Sequence, residues 1–484
     1  MVNKLITKYK SATIQMRASF WFLVSSFFQK AISCITAPIF TRLMTPQEYG
    51  QFNVFTSWQS ICGILITLNI FSGVYMQGIV KFEKERDKYS SSLQGLTLFL
   101  CVIWGIIYLA FHTQFNEYLG LTIVQTLCML ANIWSNATFC FWAAEQRVDF
   151  KYQKLVILTI VVCILQPVVS IFFVLNAEDK ATARIVGITI VQFVAYVGCF
   201  FQQMRNGKML FSKTFWSYAI KFNLPLIPHY LSMTLLNCAD RIMIKKMVGE
   251  REAGIYSLAY SVSLIMTMFN TAVIQTIEPW IYKKIKAKQI ANISSVAYPT
   301  LIIIAFLNIM LIAFGPEVIF LFAPESYYEA IYIIPPVAMS VFFMFVYIFF
   351  ATFEFYYEKT KQIAFASFVG AVLNIILNYY CINRFGYLAA GYTTLICYVV
   401  YALFHYLFMR RICVKYLDKQ QPYSLKVLLM ICTFFILFGF LIMLTYYNAV
   451  LRYAFIVLSL LVVFLKRKTI MCAIKKIIQL KKEI

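Results

Sequence analysis

Long apolar runs, separated by short charged segments, fill this chain almost from end to end. A transmembrane helix needs about 20 mostly apolar residues, and by that rule the sequence contains about fourteen spans. Their predicted positions are roughly 18–41, 52–76, 94–112, 120–143, 155–176, 185–203, 216–240, 253–278, 294–314, 331–355, 363–382, 389–409, 425–447 and 451–465. The pattern predicts an all-α polytopic membrane protein.

The composition excludes a soluble globular protein. Of the 484 residues, 61% are hydrophobic and 13% are charged, whereas soluble domains are closer to half apolar and a quarter charged. The net charge of +23 would suit nucleic acid, but the basic residues are dispersed between apolar runs, so we expect no nucleic-acid partner. The 13 cysteines lie mostly in apolar segments without metal-ligand spacing, which predicts neither disulfides nor a metal site.

The basic residues alternate between the two sides of the predicted spans. One set of connecting segments, together with both termini, contains roughly thirty Lys and Arg, and the opposite set contains roughly nine. The positive-inside rule therefore places both termini in the cytoplasm, in agreement with an even number of spans. The last segment, 466–484, is predicted to form a basic amphipathic helix on the anionic inner leaflet.

A weak internal repeat divides the first twelve spans into two halves. The segment Glu48–Phe52 (EYGQF) resembles Glu252–Tyr256 (EAGIY), which lies 204 residues later in the chain. At the same offset stand the pairs Arg17 and Lys221, Gly187 and Gly391, and Thr189 and Thr393. Because six spans is an even number, both copies should share one orientation, with a cavity between two lobes. We expect an N-terminal lobe over 1–215, a C-terminal lobe over 216–412, and spans thirteen and fourteen with the tail over 413–484.

Lys30 is a cation in the middle of the first predicted span. It lies about 13 residues from Arg17 and about 12 from Arg42, which is roughly 18–20 Å along a helix. Its stem is too short to bring the ammonium to an interface, and a cation at that depth costs about 2.5–3.5 kcal/mol. Lys30 should therefore face a water-filled cavity or an anionic partner, either in a functional site or in an ion pair that serves packing alone.

The seventh predicted span begins with a cation and two prolines. Lys221 lies near the cytoplasmic end, where it could bind a ligand or extend its ammonium to the interface. Its correspondence to Arg17 favours a binding role at the cytoplasmic mouth of both lobes. Pro225 and Pro228 each remove a helical donor, so the span should bend there. The bend could be a hinge for alternating access or a static kink.

Three carboxylates are candidates for coupling transport to a proton or a sodium ion, because an occluded carboxylate titrates or binds a cation. Asp240 adjoins Arg241 at the outer end of the seventh span, and a local ion pair with Arg241 or Lys245 is the interpretation we favour. Glu278 and Glu354 are expected near the membrane interface. The sequence contains no phosphate-binding loop of an ATPase, and it predicts no catalytic residue and no cofactor.

The first span and its following turn, FFQKAISCITAPIFTRLMTPQEYGQF, resemble the Wzx-type polysaccharide flippases. Three further stretches are similar to that family: LPLIPHYLSMTLLNCADRIMIKKMVGEREAGIYSLAYSV, EPWIYKK, and EKTKQIAFASFVGAVLNIILNYYCINRFGYLAAGYTTLICY. The last contains the family's Asn-rich helix, Phe-Gly turn and Gly-x-x-Thr helix, here Asn374, Asn378, Phe385, Gly386, Gly391 and Thr394. These flippases belong to an exporter superfamily that also includes lipid II flippases and multidrug-and-toxin exporters.

The resemblance implies two six-helix lobes around a cationic cavity in the bacterial cytoplasmic membrane. It also implies that an undecaprenyl-diphosphate-linked oligosaccharide passes from the inner to the outer leaflet, for O-antigen, capsule or exopolysaccharide synthesis. The protein could act alone or beside a polymerase and a chain-length regulator. Since cations in a low-dielectric cavity suit a lipid diphosphate, the expected substrate-binding residues are Lys30, Lys221, Arg17 and Arg42.

Two alternatives remain open at the level of the sequence. A cation-coupled multidrug exporter on the same fold would have a cavity rich in carboxylates rather than cations. A membrane polymerase that joins repeat units would need a sizeable outer loop with catalytic residues, but no loop outside the membrane exceeds about 20 residues. We therefore expect a transporter rather than an enzyme, with the lipid-linked oligosaccharide and the membrane lipids as its partners.

Overall fold

The computed structural model describes residues 13–468 and 471–472, and every regular element in that part of the chain is a helix. The first helices are α1 (Ile14–Leu43), α2 (Pro46–Thr67), α3 (Val74–Lys81), α4 (Arg86–Ala110), α5 (His112–Leu119), α6 (Ile123–Val148), α7 (Tyr152–Leu175), α8 (Lys180–Gly207) and α9 (Lys213–Asn223). They are followed by α10 (Ile227–Met247), α11 (Glu250–Ser263), α12 (Met266–Lys286), α13 (Ser294–Ala313), α14 (Gly315–Phe322), α15 (Ile334–Tyr356), α16 (Thr360–Phe385), α17 (Ala389–Tyr416), α18 (Leu425–Leu444) and α19 (Ala449–Leu465).

Each of the fourteen predicted spans coincides with one or two of these helices. By length and hydropathy, ten helical segments of the described residues are able to cross a membrane, or eleven if the bent pair α5 and α6 forms one span. The helix α19 is also apolar but is shorter than these segments, with 17 residues. Helices satisfy their own backbone hydrogen bonds, as a lipid environment demands. The predicted fold class, an all-α polytopic membrane protein, is confirmed.

The chain forms two compact units, a first unit over Met1–Thr234 and a second unit over Leu235–Ile484. The division falls within α10, later than the lobe boundary at 215/216 that we predicted. The reason is that α9, the first part of the seventh predicted span, packs against α3 and α4, where Phe215 and Ala219 join the buried core. In the second unit, α18 packs against α13 and α15. The internal repeat of six spans stays a prediction.

In the first unit, α8 packs along α6 and α7. Gly187 makes the contact with α7 possible, because a Cβ atom at this position would lie 2.7 Å from the Cα atom of Ser170. A contact this short with backbone is not relieved by a rotamer change. A second part of the core is aromatic and joins α3, α4, α6 and α9; its fully or nearly fully buried members include Tyr75, Tyr89, Phe141 and Phe215.

In the second unit, α15 packs along α17 and is the central helix. It is apolar on all sides, and most of its residues are buried. This is expected for a helix that neighbouring helices surround. The helices α11, α12, α13 and α18 pack against α15, and α16 packs against α17. This arrangement places polar side chains of α10, α11, α16 and α17 in one interior region.

The seventh predicted span is broken at its two prolines. A 3-10 turn, Leu224–Leu226, separates α9 from α10, and it contains Pro225, while Pro228 follows in the first turn of α10. The buried Asn223 amide donates to two backbone carbonyls after α2, at 2.7 and 2.9 Å. The regular α-helix is therefore interrupted at the prolines, whereas the bend and its action as a hinge stay predictions.

The predicted basic tail helix over 466–484 lies mostly outside the described residues. The isoleucines that would form its apolar face are Ile470, Ile474, Ile477 and Ile478, and all four lie outside them.

Candidate functional site

Asp240 of α10 is a carboxylate in the interior of the second unit, with 1% of its surface exposed. Its Oδ2 accepts hydrogen bonds from the Tyr256 hydroxyl of α11 at 2.6 Å and from the Thr394 hydroxyl of α17 at 2.8 Å. Its Oδ1 accepts a hydrogen bond from the Asn378 amide of α16 at 2.5 Å. Four helices therefore converge on one acidic group, through hydrogen bonds that the negative charge strengthens.

A second layer of polar groups orients the Asn378 amide. Asn378 also donates to Oδ1 of Asn374 at 3.2 Å, because the i,i+4 spacing places both asparagines on one face of α16. The Thr393 hydroxyl donates to the Asn378 Oδ1. Donors and acceptors on three sides thus fix which end of the Asn378 amide faces Asp240. We call Asp240, Tyr256, Asn374, Asn378, Thr393 and Thr394 the Asp240 cluster.

Asp240 belongs to none of the ion pairs of the described residues. The expected local ion pair is therefore wrong. The Arg241 guanidinium lies over the Tyr260 ring at 4.6 Å, and Lys245 pairs with Glu250 at 2.8 Å. Adjacent residues on a helix point in different directions, so Arg241 does not pair with Asp240. A buried carboxylate without a counter-charge is costly unless hydrogen bonds, a proton or a cation compensate it.

The chemistry of the Asp240 cluster favours a proton or a hard monovalent cation. It combines one carboxylate with amide and hydroxyl oxygens, which hard cations prefer. The described residues contain no group of three His, Cys, Asp or Glu that could hold a metal, and a set of one carboxylate with amide and hydroxyl oxygens does not suit a transition metal. Sodium, with one charge, would balance the single carboxylate.

Three of the four predicted substrate-binding cations lie on one helix. Arg17, Lys30 and Arg42 are spread along α1, roughly 18–20 Å between neighbours, so that helix does not bring them to a common point. Every residue from 26 to 30 is exposed, which leaves that turn of α1 open on all sides. Lys221 is exposed in the last turn of α9. The role of these four residues stays a prediction.

The two other predicted coupling carboxylates differ in their surroundings. Glu278 of α12 is half-buried and accepts a hydrogen bond from the Tyr282 hydroxyl at 3.0 Å. Glu354 of α15 is fully buried inside the protein, and its Oε1 lies 2.6 Å from Nδ1 of His405; its expected depth near the membrane interface stays a prediction. Its position near the end of α15 does not expose it, because α17 continues past it and covers it.

Sequence reasoning missed several partners in these sites. Tyr256 and Thr393 were named only within the repeat, and Asn378 and Thr394 only within the family motif. His405 was not singled out, although it is one of only three histidines in the chain and lies in an apolar helix. A polar side chain inside an apolar span is itself a signal of function or of a specific interhelical bond, and that signal could have found all of them.

Comparisons with known proteins agree with this architecture. The sequence model of the family described as polysaccharide biosynthesis protein matches residues 16–285, more than half of the chain, and that of the MatE family matches 225–380. An uncharacterized membrane protein of Haemophilus influenzae is 20% identical over 367 residues, which is 73% of this chain and 86% of that protein.

Two solved structures share the fold at 13% sequence identity. The lipid II flippase MurJ, in an inward closed conformation, has a TM-score of 0.70 and covers 92% of this chain and 99% of its own. An inward-facing multidrug resistance MATE family transporter of the MOP superfamily has a TM-score of 0.64 and covers 81% and 96%. The chain therefore belongs to the polysaccharide biosynthesis protein family, as its motifs predicted, and has the fold of the multidrug/oligosaccharidyl-lipid/polysaccharide exporter superfamily, which flippases and multidrug transporters share.

Proposed function

We propose that this protein is a flippase for undecaprenyl-diphosphate-linked oligosaccharide repeat units. It would move them from the inner to the outer leaflet of the bacterial cytoplasmic membrane by alternating access, for O-antigen, capsule or exopolysaccharide biosynthesis. The observation that carries this proposal is the match of the polysaccharide biosynthesis family to residues 16–285. The fold shared with a lipid II flippase supports a lipid-linked cargo.

The charge of α1 supports an anionic cargo. This helix is a candidate membrane span and contains Arg17, Lys30 and Arg42 but no Asp or Glu. A cation at the depth of Lys30 needs water or an anion nearby, and a lipid diphosphate supplies two or more negative charges. Together with Lys221 of α9, these residues would bind the diphosphate head group. No bond in the cargo is made or broken, so the protein acts as a transporter and not as an enzyme.

The Asp240 cluster would bind the coupling cation, a proton or a sodium ion. A bound cation would compensate the carboxylate and would compete with the hydrogen bonds from Tyr256, Asn378 and Thr394. Asp240 lies on α10, which begins directly after the break at Pro225. A change at the cation site could therefore reach the proposed hinge at Pro225 and Pro228 through one helix. Glu278 and Glu354 stay candidates for coupling.

The distribution of basic residues supports the proposed membrane orientation. By the positive-inside rule, the excess of Lys and Arg in alternate connections supports a cytoplasmic location of both termini, on the side where the cargo would be assembled on its lipid carrier. A polymerase and a chain-length regulator would act on the repeat unit after it has crossed the membrane.

A cation-coupled multidrug exporter is the second candidate. The match of the MatE family to residues 225–380 and the buried carboxylate of Asp240 favour it. A cationic drug would need acidic groups along its path, whereas α1 offers three cations and no carboxylate. The charge of α1 therefore favours the flippase.

Deletion of the gene, followed by analysis of lipid-linked intermediates in each leaflet, tests the proposal. Single repeat units should accumulate on the cytoplasmic face, and the wild-type gene should restore export. Accumulation of single units on the outer face would point to a polymerase instead. Unchanged intermediates, combined with increased sensitivity to cationic drugs, would support the multidrug exporter.

A further inference from the structure

The second unit contains a second buried acidic group, which is paired with a histidine. Glu354 of α15 and His405 of α17 are both 0% exposed, and His405 Nδ1 lies 2.6 Å from Glu354 Oε1. Both helices are candidate membrane spans. On α17, His405 lies about three turns, or roughly 16 Å, from Thr394 of the Asp240 cluster. The Glu354–His405 pair is therefore a separate site.

Two tyrosine rings enclose the His405 imidazole. Tyr347 of α15 stacks against it with ring centroids 5.3 Å apart and an interplanar angle of 28°. Tyr401 of α17 meets it at 4.5 Å and 84°, and the Tyr401 hydroxyl lies 3.2 Å from that of Ser367 on α16. The rings hold the imidazole in one orientation, and the π-face of Tyr347 favours a positively charged imidazolium.

Within the described residues, the neighbouring helices bring no further ionic partner to the pair. Several of their ionisable groups contact residues outside the pair: Glu278 binds Tyr282, the Ser424 amide donates to the Tyr298 hydroxyl, Lys359 lies over Tyr416, Glu329 binds Arg251, and Tyr256 and Tyr260 lie at Asp240 and Arg241. The buried Tyr423 ring packs against Phe353 of α15, and its hydroxyl has no hydrogen-bond partner among the described residues. The exposed Lys426 is in the first turn of α18. The charge of the pair is therefore set by the protons on Glu354 and His405 themselves.

Each member of the pair has one polar atom without a hydrogen-bond partner in the described structure, Oε2 of Glu354 and Nε2 of His405. When Nδ1–H donates to the carboxylate, Nε2 carries either a lone pair or a proton. Uptake of one proton at Nε2 changes the pair from a net charge of −1 to zero, because the carboxylate balances the imidazolium.

We propose that Glu354 and His405 form a proton-binding site, in which Nε2 of His405 takes up a proton from the aqueous phase and the Glu354 carboxylate stabilises the imidazolium. No other bond forms or breaks. If the protein is the proposed flippase, this pair would be a second coupling site, and the coupling ion would be a proton; this role in transport rests on the proposed function. Proton binding itself is measured without any cargo, so the proton-binding site and the proposed function can fail separately.

The small number of histidines makes the site measurable. The chain contains only His112, His229 and His405, so the full-length protein labelled with ¹⁵N-histidine in lipid nanodiscs gives few imidazole signals. The nitrogen chemical shifts are followed by NMR between about pH 4 and pH 9, the range in which imidazole titrates. His405→Gln assigns the signal of the site. His112→Gln removes an exposed imidazole and is the matched control.

The His405 signal should titrate in the wild type and in the His112→Gln variant. In Glu354→Gln, which keeps the size of the side chain but removes its charge, the midpoint should move to lower pH. We expect at least a tenfold loss of proton affinity, since an adjacent buried carboxylate favours the charged imidazolium. If this variant does not fold, Glu354→Asp takes its place. It keeps the charge at a longer distance and should shift the midpoint in the same direction by less.

Two results would overturn the proposal: a His405 imidazole that stays in one protonation state over this range, and a midpoint that is the same in wild type and Glu354→Gln. If the titration is as expected while the wild type moves no lipid-linked oligosaccharide, the proton site stands and the proposed function fails. If transport is present and the titration is absent, the proposed function stands and the proton site fails.

Discussion

At the scale of single residues, the molecule places two kinds of charge inside apolar helices. Lys30 is exposed on α1, in a turn that is open on all sides, whereas Asp240 is buried among hydrogen-bond donors from three other helices. Both are costly in a membrane unless something compensates them. The surroundings differ because Asp240 has partners from its own chain, while an exposed Lys30 leaves room for a partner from outside.

Replacement of Asp240 by Asn tests the proposed cation site. A cation that binds only the folded protein raises its melting temperature, by an amount equivalent to about 2.7 kcal/mol at a hundredfold excess over Kd. The melting temperature of the wild type should therefore respond to sodium or to pH, and Asp240→Asn should lose that response because it lacks the charge. Thermal unfolding in sodium, in potassium and over a pH series distinguishes the two ions.

Asp418→Asn is the matched control for this experiment. It makes the same chemical change at an exposed acid of the second unit, at a residue with a positive φ of 51° that Asn tolerates. This variant should keep the cation response of the wild type. A response that survives in Asp240→Asn would exclude Asp240 from cation binding.

Replacement of Lys30 tests the cation on α1. Lys30→Ala should reduce export of the lipid-linked oligosaccharide by tenfold or more, because a charge-assisted contact to a diphosphate of about 1.5–3 kcal/mol is lost. Lys30→Arg keeps the charge and should retain part of the activity. Export is measured from the surface glycan in a deletion strain, with protein levels compared. Normal export by Lys30→Ala would remove this residue from the mechanism.

At the scale of elements, small residues determine how closely neighbouring helices approach. Gly187 lets α8 touch the backbone of α7. In the second unit, a Cβ atom on Gly391 would lie 3.0 Å from Pro336 of α15, a contact tighter than ordinary van der Waals distance. Close backbone approach through small residues is a principal source of helix association in membranes, where the hydrophobic effect does not drive helices together.

Two alanine variants on α8 separate packing from helix propensity. Gly187→Ala should destabilise the first unit by about 1–3 kcal/mol, because overpacking against the Ser170 backbone forces the helices apart. Gly198→Ala lies on the same helix and meets nothing within 4 Å. It should be neutral or stabilising by up to about 1 kcal/mol, since Ala favours the helix over Gly. The test compares the melting temperatures of the two variants in the same detergent. Equal values would contradict the close contact between Gly187 and the Ser170 backbone.

At the scale of the whole molecule, the sequence predicts the helices better than their contacts. Apolar runs of sufficient length determine where the spans lie. The partners of Asp240 come from three other helices, 16, 138 and 154 residues away along the chain, and packing alone decides which face of α10 meets them. For the same reason the predicted ion pair with Arg241 failed, because adjacency along the chain does not place two side chains on the same side of a helix.

The distribution of charge predicts the orientation of the whole chain in the membrane, and this prediction does not depend on any contact between residues. The connection between α8 and α9 follows Arg205 and includes the exposed Lys208, whereas the connection between α7 and α8 includes the exposed Glu178 and Asp179. Since basic residues are retained on the cytoplasmic side, a fluorescent protein fused after residue 208 should fluoresce, and alkaline phosphatase fused there should be inactive. A fusion after residue 178 should give the reverse. If both fusions report the opposite side, the α1 end of the chain is outside the cell, and the direction proposed for the cargo fails with it.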